Sequence, residues 1–394
     1  MDAQSPRLMQ ALSNRVRPSD ASYRQKLVER AAQLDDVIMM GLGDPDAPTP
    51  RHVVEAVAAA ISEGRVKYTH PAGMPPLRQA IADYLARVYG LDYAASEVIV
   101  TAGTQEAVML CMLALVDPGD EIILPAPRFT SYDTAIRMLD GVLVPVQTRE
   151  EDGFALRPDA VEAAITDRTK AVVVVTPNNP TGAVTPPDAI RAIAEICRRH
   201  DIVAISDEIY AALLFDGAEH LSMATLPGMR DRTITINGFS KSHAMTGWRI
   251  GYVAAPAQVI ARLIEPRHTL SISASTPSQH AALAAATGPQ SAVDEILDTY
   301  VARRKVLLAG LDALGFTYGT PAGAFYVYVN VSSWGMPATR FCERLLEEAR
   351  VMVQPGMLFA DPDDRYVRFS LLQTEERIRE ALDRMREAMP RIRV

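Results

Sequence analysis

The stretch AVVVVTPNNPTGAVTPPDAIRAIAEICRRHDIVAISDEIY (171–210) decides the fold of this chain. It begins with an apolar run at 171–175, continues through a proline-rich loop, and reaches a segment at 187–199 whose apolar residues recur with helical spacing. A second apolar run follows at 202–206. Runs that are apolar at consecutive positions are typical of parallel strands covered on both faces. The stretch therefore predicts a strand–helix–strand unit of a parallel sheet.

The same alternation continues on both sides of this unit. Further short apolar runs stand at 97–101, 121–124, 233–236 and 250–254, and a helical pattern at 105–115 follows the first of them. Strands that alternate with helices imply a mostly parallel central sheet with helices on both faces. We therefore expect the α/β fold class.

The two ends of the chain differ from this middle part. Residues 1–45 show no alternation of strands and helices, whereas a long helical pattern begins at Pro289 and is followed by strand and helix patterns. This indicates a second, smaller α+β domain. We expect a large domain over 46–288 and a small, discontinuous domain formed by 1–45 and 289–394.

Composition excludes several classes of protein. The chain has 394 residues and a net charge of −8, from 40 Lys and Arg against 48 Asp and Glu, which argues against a nucleic-acid partner. No apolar stretch reaches the roughly 18–20 residues that span a bilayer, so no membrane association is expected. The first residues lack the pattern of a signal peptide. Three widely spaced cysteines, Cys111, Cys197 and Cys342, are expected to be buried thiols in a reducing, cytoplasmic compartment.

The residues that follow each run are candidates for a site, because open α/β sheets bind ligands at the carboxyl ends of their strands. After the first run, Gly-Thr-Gln at 103–105 opens a helix, where backbone N–H groups and the helix dipole favour an anion. The loop at 176–182 contains Asn179, whose side chain can both donate and accept hydrogen bonds. Either feature alone is also typical of an ordinary turn.

Two further strand ends carry ionisable side chains. Asp207 directly follows an apolar run and Tyr210 comes three residues later, so both can enter one cleft, although Asp207 alone would also suit a helix cap. Lys241 also follows an apolar run, and burial lowers the pKa of a lysine so that its amine can form a Schiff base. Arg249 can bind a phosphate through two parallel hydrogen bonds.

Together these groups match the requirements of pyridoxal 5′-phosphate, which we expect as the cofactor. That cofactor needs a lysine for its aldehyde, an acid beside its pyridine nitrogen, a phenol and an amide for its ring oxygen, and an arginine with backbone N–H groups for its phosphate. The seven histidines are scattered and no metal-binding motif occurs, so no metal is expected.

Nine motifs occur in order along the chain: GLGDPDAPTP (41–50), YTHPAGMPPLRQAI (68–81), TAGTQEA (101–107), PGDEIILPAPRFTSY (118–132), PNNPTGAV (177–184), SDEIY (206–210), SKSHAMTGWRIGY (240–252), GAFYVYV (323–329) and YVRFS (366–370). With them the chain resembles the fold-type I, class I pyridoxal-phosphate aminotransferases, in the branch that contains bacterial aspartate and aromatic aminotransferases. The resemblance covers nearly the whole chain, from about Leu12 to the last helix.

The resemblance implies roles around the cofactor. Lys241 would bond the cofactor aldehyde and act as general base, and Asp207 would pair with the pyridine nitrogen. Tyr210 and Asn179 would bond the ring oxygen, and Phe129 would stack on the ring. The phosphate would be held by Gly103, Thr104, Gln105, Ser240 and Arg249.

The resemblance also implies how the substrate and a second subunit contribute. Arg368 would bind the substrate α-carboxylate through two parallel hydrogen bonds, helped by Asn179 and the backbone of Gly43. Tyr68 would reach the cofactor phosphate of the neighbouring subunit, which implies a homodimer with shared active sites.

Three positions depart from the family pattern. Gly238 stands where relatives often have a phosphate-binding serine, so that contact is missing or taken by Ser240. Gln105 and Leu270 occupy places where some dicarboxylate-specific relatives carry basic residues, so a strict preference for aspartate is not implied. We expect the pocket for the substrate side chain to be shaped by Phe129, Gln105, Leu270, His243 and residues 17–23.

The expected activity is transamination by a ping-pong mechanism. An L-amino acid would pass its amino group through the cofactor to a 2-oxo acid, with 2-oxoglutarate, oxaloacetate or pyruvate as the expected acceptors. One alternative is a lyase on the same fold, of the C–S β-lyase or aminocyclopropane-synthase type, because the core motifs do not separate it from a transaminase. The other is a non-enzymatic module of a transcription regulator. It is disfavoured because the resemblance leaves no room for an N-terminal DNA-binding domain and the net charge is negative.

Overall fold

The computed structural model describes Arg7, residues 11–13, Arg15 and residues 21–393. The helices are α1 (Ala21–Ala32), α2 (Arg51–Ser62), α3 (Pro75–Tyr89), α4 (Gly103–Leu115), α5 (Ser131–Met138), α6 (Pro158–Ala163), α7 (Pro187–Arg199), α8 (Ala257–Ser271), α9 (Thr276–Thr287), α10 (Ser291–Ala313), α11 (Ala338–Ala349) and α12 (Glu375–Ile392). The strands are β1 (Ile38–Met39), β2 (Val98–Thr101), β3 (Glu121–Ala126), β4 (Val142–Gln147), β5 (Thr169–Val175), β6 (Val203–Asp207), β7 (Thr233–Gly238), β8 (Gly251–Ala254), β9 (Thr317–Tyr318), β10 (Tyr326–Asn330), β11 (Val351–Met352), β12 (Gln354–Pro355) and β13 (Tyr366–Ser370). Short 3₁₀ turns stand at Ala95–Glu97, Glu150–Asp152, Met223–Thr225, Arg230–Arg232, Thr246–Trp248, Ser332–Trp334 and Gly356–Phe359.

Seven strands form the central sheet in the order β2–β8–β7–β6–β5–β3–β4. The strands from β7 to β4 run parallel to one another, whereas β8 runs antiparallel to both of its neighbours. The predicted α/β class with a mostly parallel sheet is therefore confirmed. Strand β4 carried no clear sequence signal because it is a partly exposed edge strand that contains Pro145.

Both faces of this sheet are covered by helices. Val172 and Val174 of β5 belong to the core that contains Ile193 of α7, whereas Val173 belongs to the opposite core, which contains Ile136 of α5. Side chains of a strand alternate between faces, so a strand buried on both sides must be apolar at consecutive positions. This explains the uninterrupted run at 171–175.

A second, antiparallel sheet has the order β12–β13–β10–β9. The N-terminal segment joins this part of the chain, because β1 pairs in parallel with β11. Helix α1 was not predicted from an apolar periodicity. It packs beside α11, where Leu27 and Leu346 share a core and Arg30 pairs with Glu347 at 2.7 Å. The domain boundaries at 45/46 and 288/289 stay a prediction.

The loop between β7 and β8 lies at the same edge of the central sheet as the carboxyl ends of β5 and β6, because β8 returns antiparallel to β7. All three cysteines are buried, as expected. Among the helices of the described residues, none combines the length and the apolar character needed to cross a membrane.

Candidate active site

A cavity of about 340 Å³ lies where the strand ends, the start of α4 and the antiparallel sheet meet. It brings together most of the residues that the sequence singled out: Gly43, Thr104, Gln105, Phe129, Asn179, Asp207, Tyr210, Ser240, Lys241, Arg249 and Arg368. These residues are distant in sequence, and the sheet topology is what assembles them at one edge.

Lys241 follows β7 and presents its amine to the N-terminal segment. The Nζ atom donates a hydrogen bond of 2.7 Å to the backbone oxygen of Gly43. Burial, together with the nearby Arg368 and Arg249 guanidinium groups, lowers the pKa of Lys241 to about 8, against the partial opposition of Asp44. A neutral, nucleophilic amine is therefore accessible close to physiological pH.

Asp207 is the last residue of β6 and its carboxylate is buried. Burial raises the pKa of Asp207 to about 6, although the Tyr132 hydroxyl donates to Oδ2 at 2.8 Å and the Ile209 amide donates to Oδ1 at 3.3 Å, both of which favour the ionised form. A buried carboxylate that has two donors and no cationic partner among the described residues suits a protonated ring nitrogen. Tyr132, on α5, carried no signal of its own in the sequence.

The start of α4 and Arg249 form an anion-binding cradle. Gly103 is the first residue of α4 and has a φ of +76°, and a Cβ at this position would lie 2.6 Å from Nη2 of Arg249. The first N–H groups of a helix have no partner within the helix, and here a guanidinium stands directly beside them. The Arg249 Nη1 donates to the Thr246 oxygen at 3.0 Å, which fixes the guanidinium within its loop.

Arg368 on β13 is buried and held between two aromatic rings. Its guanidinium carbon lies 4.2 Å from the ring centre of Tyr326 and 4.5 Å from that of Phe359. Nη1 donates to Oδ1 of Asn179 at 2.8 Å, and Nη2 donates to the Gly41 oxygen at 2.6 Å. The Nε atom is buried and has no hydrogen-bond partner among the described residues. Such a group, fixed in place and short of an acceptor, suits a carboxylate ligand.

Tyr210 and Tyr326 meet beside this arginine. Their hydroxyl oxygens are 3.1 Å apart, and burial raises the pKa of both phenols, so both are neutral hydrogen-bonding groups. A Cβ on Gly43 would lie 2.6 Å from the Tyr326 hydroxyl, which explains why glycine stands there. Tyr326 lies within the motif at 323–329 but was not singled out from the sequence. An aromatic residue in a predicted strand is normally interpreted as a residue of the hydrophobic core.

The polar groups that line this cavity fit pyridoxal 5′-phosphate. The α4–Arg249 cradle suits its phosphate, Asp207 suits its ring nitrogen, and the amine of Lys241 suits its aldehyde. Within the described ranges, no cluster of three or more His, Cys, Asp or Glu side chains could hold a metal ion.

Several expected pocket residues lie elsewhere. His243 is fully buried, bonds the Ser242 hydroxyl at 2.9 Å and has its pKa lowered to about 4 by burial. The expectation that it shapes the substrate pocket is therefore wrong, because its side chain is packed in the interior against Phe239 and does not line the cavity as the structure describes it. Leu270 is 50% exposed and does not line this cavity of its own chain, as far as the structure describes it. Tyr68, which is expected at the site of a neighbouring subunit, is 81% exposed, and its role stays a prediction.

The N-terminal segment reaches the cavity at a position just beyond the predicted one. Residues 17–20 lie outside the described residues, and the hydroxyl of Tyr23 donates to the Thr339 oxygen at 3.3 Å. Among the described residues that were not predicted, Arg24 and Gln354 line the cavity. Neither lies in a recognisable motif, so the sequence offered no signal for them.

Comparisons with known proteins agree with this geometry. The family model "Aminotransferase class I and II" matches residues 35–385. The chain is 41% identical to the aspartate/prephenate aminotransferase of Thermus thermophilus over 97% of this chain and all of that protein. It is 35% identical to aromatic-amino-acid aminotransferase 2 of Thermococcus litoralis over 96% of this chain and 98% of that protein.

A solved structure extends the similarity to three dimensions. The aspartate aminotransferase of Thermus thermophilus with maleate superposes with a TM-score of 0.90 at 41% identity, over 96% of this chain and 99% of that one. Sequence and structure thus agree over nearly the full length of the chain. The chain belongs to the class I and II aminotransferases, and it is a pyridoxal-phosphate-dependent enzyme of fold type I.

Proposed function

We propose that this cavity transfers the α-amino group of acidic and aromatic L-amino acids to 2-oxo acids such as 2-oxoglutarate, oxaloacetate or pyruvate. The observation that carries the proposal is the presence, in one cavity, of an amine with a lowered pKa at Lys241 and a buried guanidinium at Arg368 that lacks a carboxylate partner. Relatives that are named for aspartate, prephenate and aromatic amino acids support this range of substrates.

Each side chain then has a defined task. When bound, pyridoxal phosphate supplies an acceptor for the electron pair left at the substrate Cα. Asp207 would keep a proton on the ring nitrogen, and Tyr210 and Asn179 would hydrogen-bond the ring oxygen. Lys241 Nζ would remove the proton from the substrate Cα and return it to the aldehyde-derived carbon on the other side of the amino nitrogen. Phe129 lines the cavity and would cover one face of the ring against water.

Arg368 orients the substrate. Its guanidinium is held by Asn179, the Gly41 backbone and two rings, so little side-chain freedom remains to be lost when a carboxylate binds. A carboxylate fixed at Arg368 places the substrate Cα next to the amine of Lys241, and this positioning accounts for much of the rate.

We further propose a cytoplasmic homodimer in which each subunit completes the other's site. Tyr68 is 81% exposed, and large apolar side chains near it in sequence are also exposed: Ile61 and Val66. A second chain that covers these side chains would remove their apolar surface from water. Three buried free thiols suit a reducing compartment.

A single-turnover experiment tests the transfer. The cofactor-loaded enzyme is mixed with one amino acid at a time, without an acceptor, and the 2-oxo acid and ammonia are measured. Transamination predicts one 2-oxo acid per active site and no ammonia, with further turnover only after a 2-oxo acid is added. Lys241→Ala is expected to abolish the reaction. Continued release of ammonia or a thiol without an acceptor would instead identify a lyase, which the aminotransferase relatives do not favour.

A further inference from the structure

The cavity contains a cation for which the proposed function has no use. Four cationic side chains line it, namely Arg24, Lys241, Arg249 and Arg368, whereas Asp207 is its one acidic lining residue among those described. Three of the cations serve the aldehyde, the phosphate and the α-carboxylate. Arg24 remains unassigned.

Arg24 also differs from the buried arginines of the rest of the molecule. Those outside the cavity each face a carboxylate: Arg128 with Asp133, Arg267 with Glu106, Arg303 with Asp46 and Arg304 with Asp216. Arg24 is half-buried, its Nε atom is enclosed without a hydrogen-bond partner, and it forms no ion pair with the described residues. Burial lowers its pKa, and the group that opposes this is the phenol of Tyr326, not a carboxylate. A half-buried guanidinium that lines a cavity and has no carboxylate beside it is suited to an anionic ligand.

The location of Arg24 indicates what that anion is attached to. Tyr326 contacts the guanidinium of Arg368 on one side, and Arg24 acts electrostatically on both Tyr326 and Arg368. Arg24 and Arg368 thus line the same cavity as Tyr326, and neither forms an ion pair with a carboxylate of the described residues. Two such cations in one cavity suit a single molecule with two carboxylates.

A neighbouring cavity provides space for substrates with long side chains. Its volume is about 220 Å³, and it shares Arg24, Gln105 and Phe129 with the main cavity. The second carboxylate therefore lies toward the boundary between the two cavities, away from Lys241. Helix α1, which carries Arg24, belongs to the part of the chain that pairs with the C-terminal elements.

We propose that Arg24 binds the distal carboxylate of dicarboxylic amino acids and 2-oxo acids, and so determines the preference of the enzyme for acidic over apolar substrates. This inference rests on the proposed function and names the residue that sets its selectivity.

Substrate pairs of equal length test the proposal. We expect Arg24→Gln to lower kcat/KM for aspartate and glutamate by about 30- to 100-fold, the usual effect of losing a hydrogen-bonded ion pair. The values for 2-aminobutyrate and norvaline should change less than about 3-fold, because these substrates lack the distal carboxylate. Arg24→Lys should keep part of the preference. Arg30→Gln is the matched control, since it removes the same charge from the same helix and lies exposed in a pair with Glu347.

A binding measurement gives a readout apart from turnover. Calorimetric titration of the loaded enzyme with succinate should show weaker binding in Arg24→Gln, whereas butyrate should bind both proteins equally. The two members of each pair are compared within one preparation of enzyme. A partly misfolded variant lowers both values equally and leaves their ratio unchanged. An equal loss for both members of each pair, or no loss, would overturn the role of Arg24 and leave transamination standing. A wild-type enzyme that transaminates none of these amino acids would instead contradict the proposed function itself.

Discussion

Asp207 remains available as a carboxylate in a buried place because two hydrogen bonds oppose the effect of burial on its pKa. One of the donors, Tyr132, contacts it across 75 positions of sequence. The motif at 206–210 was sufficient to predict Asp207, since a strand end can be recognised locally. Tyr132 could not be predicted, because its contact depends on how α5 lies against the sheet. Arg24 escaped prediction for the same reason.

Replacing Tyr132 by phenylalanine tests this hydrogen bond. The pKa of Asp207 should rise further, so at a given pH less of its carboxylate is ionised and able to hold a protonated ring nitrogen. We expect the dissociation constant for pyridoxal phosphate, relative to wild type, to rise about 3- to 10-fold near pH 6 and less near pH 8, where the carboxylate is ionised in both proteins.

The measurement is a titration of cofactor-free enzyme with pyridoxal phosphate at both pH values. Tyr252→Phe is the control, because the Tyr252 hydroxyl is buried without a hydrogen-bond partner in the described structure and its removal breaks no bond. Equal affinities of Tyr132→Phe and wild type at pH 6 would refute the proposed role of Tyr132.

At the scale of the element, what the sequence revealed depended on burial. The runs at 171–175 and 202–206 are apolar throughout because helices cover both faces of the sheet, and they were recognised. Helix α7 follows its predicted bounds, 187–199, because one face is buried and the other exposed. Strand β4 and helix α1 were not recognised, since an exposed edge strand and a mostly polar helix lack a periodic apolar pattern.

The first turn of α4 should tolerate no side chain at Gly103. Gly103→Ala adds a Cβ at a φ of +76°, which costs about 1–2 kcal/mol, and this atom meets Nη2 of Arg249 at 2.6 Å. Gly90→Ala is the control, because its φ is +67° and its Cβ would meet nothing within 4 Å.

We expect both variants to lose similar stability in urea unfolding of the cofactor-free protein. Only Gly103→Ala should bind pyridoxal phosphate at least about 10-fold more weakly, since the cradle is displaced. Equal cofactor affinity in the two variants would show that Arg249 and α4 do not act together.

At the scale of the whole molecule, the proposed shared sites can be tested with a hybrid dimer. One chain carries Tyr68→Ala and the other Lys241→Ala, with different affinity tags so that the hybrid can be purified. Tyr68 of the second chain would then complete the site that holds the intact Lys241 of the first. We expect about half of the wild-type activity, because one of the two sites is fully native. If subunits do not share sites, the hybrid will show no more than half of the activity of the Tyr68→Ala homodimer.

The pairing of β1 with β11 illustrates what sequence could not supply at this scale. The absence of strand–helix alternation at 1–45 suggested a segment apart from the central sheet, but a two-residue strand carries no pattern of its own. Its partner lies more than three hundred positions later, and only the folded chain shows that the two ends meet.

The antiparallel return of β8 has a consequence for the spacing of the ligand. The chain leaves the central sheet at Gly238 and re-enters it at Gly251, and between these points it supplies both Lys241 and Arg249. The attachment point for an aldehyde and the clamp for a phosphate are thus set by the length of one short loop. Inserting or deleting a residue between them would change the distance between the amine of Lys241 and the guanidinium of Arg249. The length of the loop therefore selects aldehydes by the distance between their aldehyde and phosphate groups.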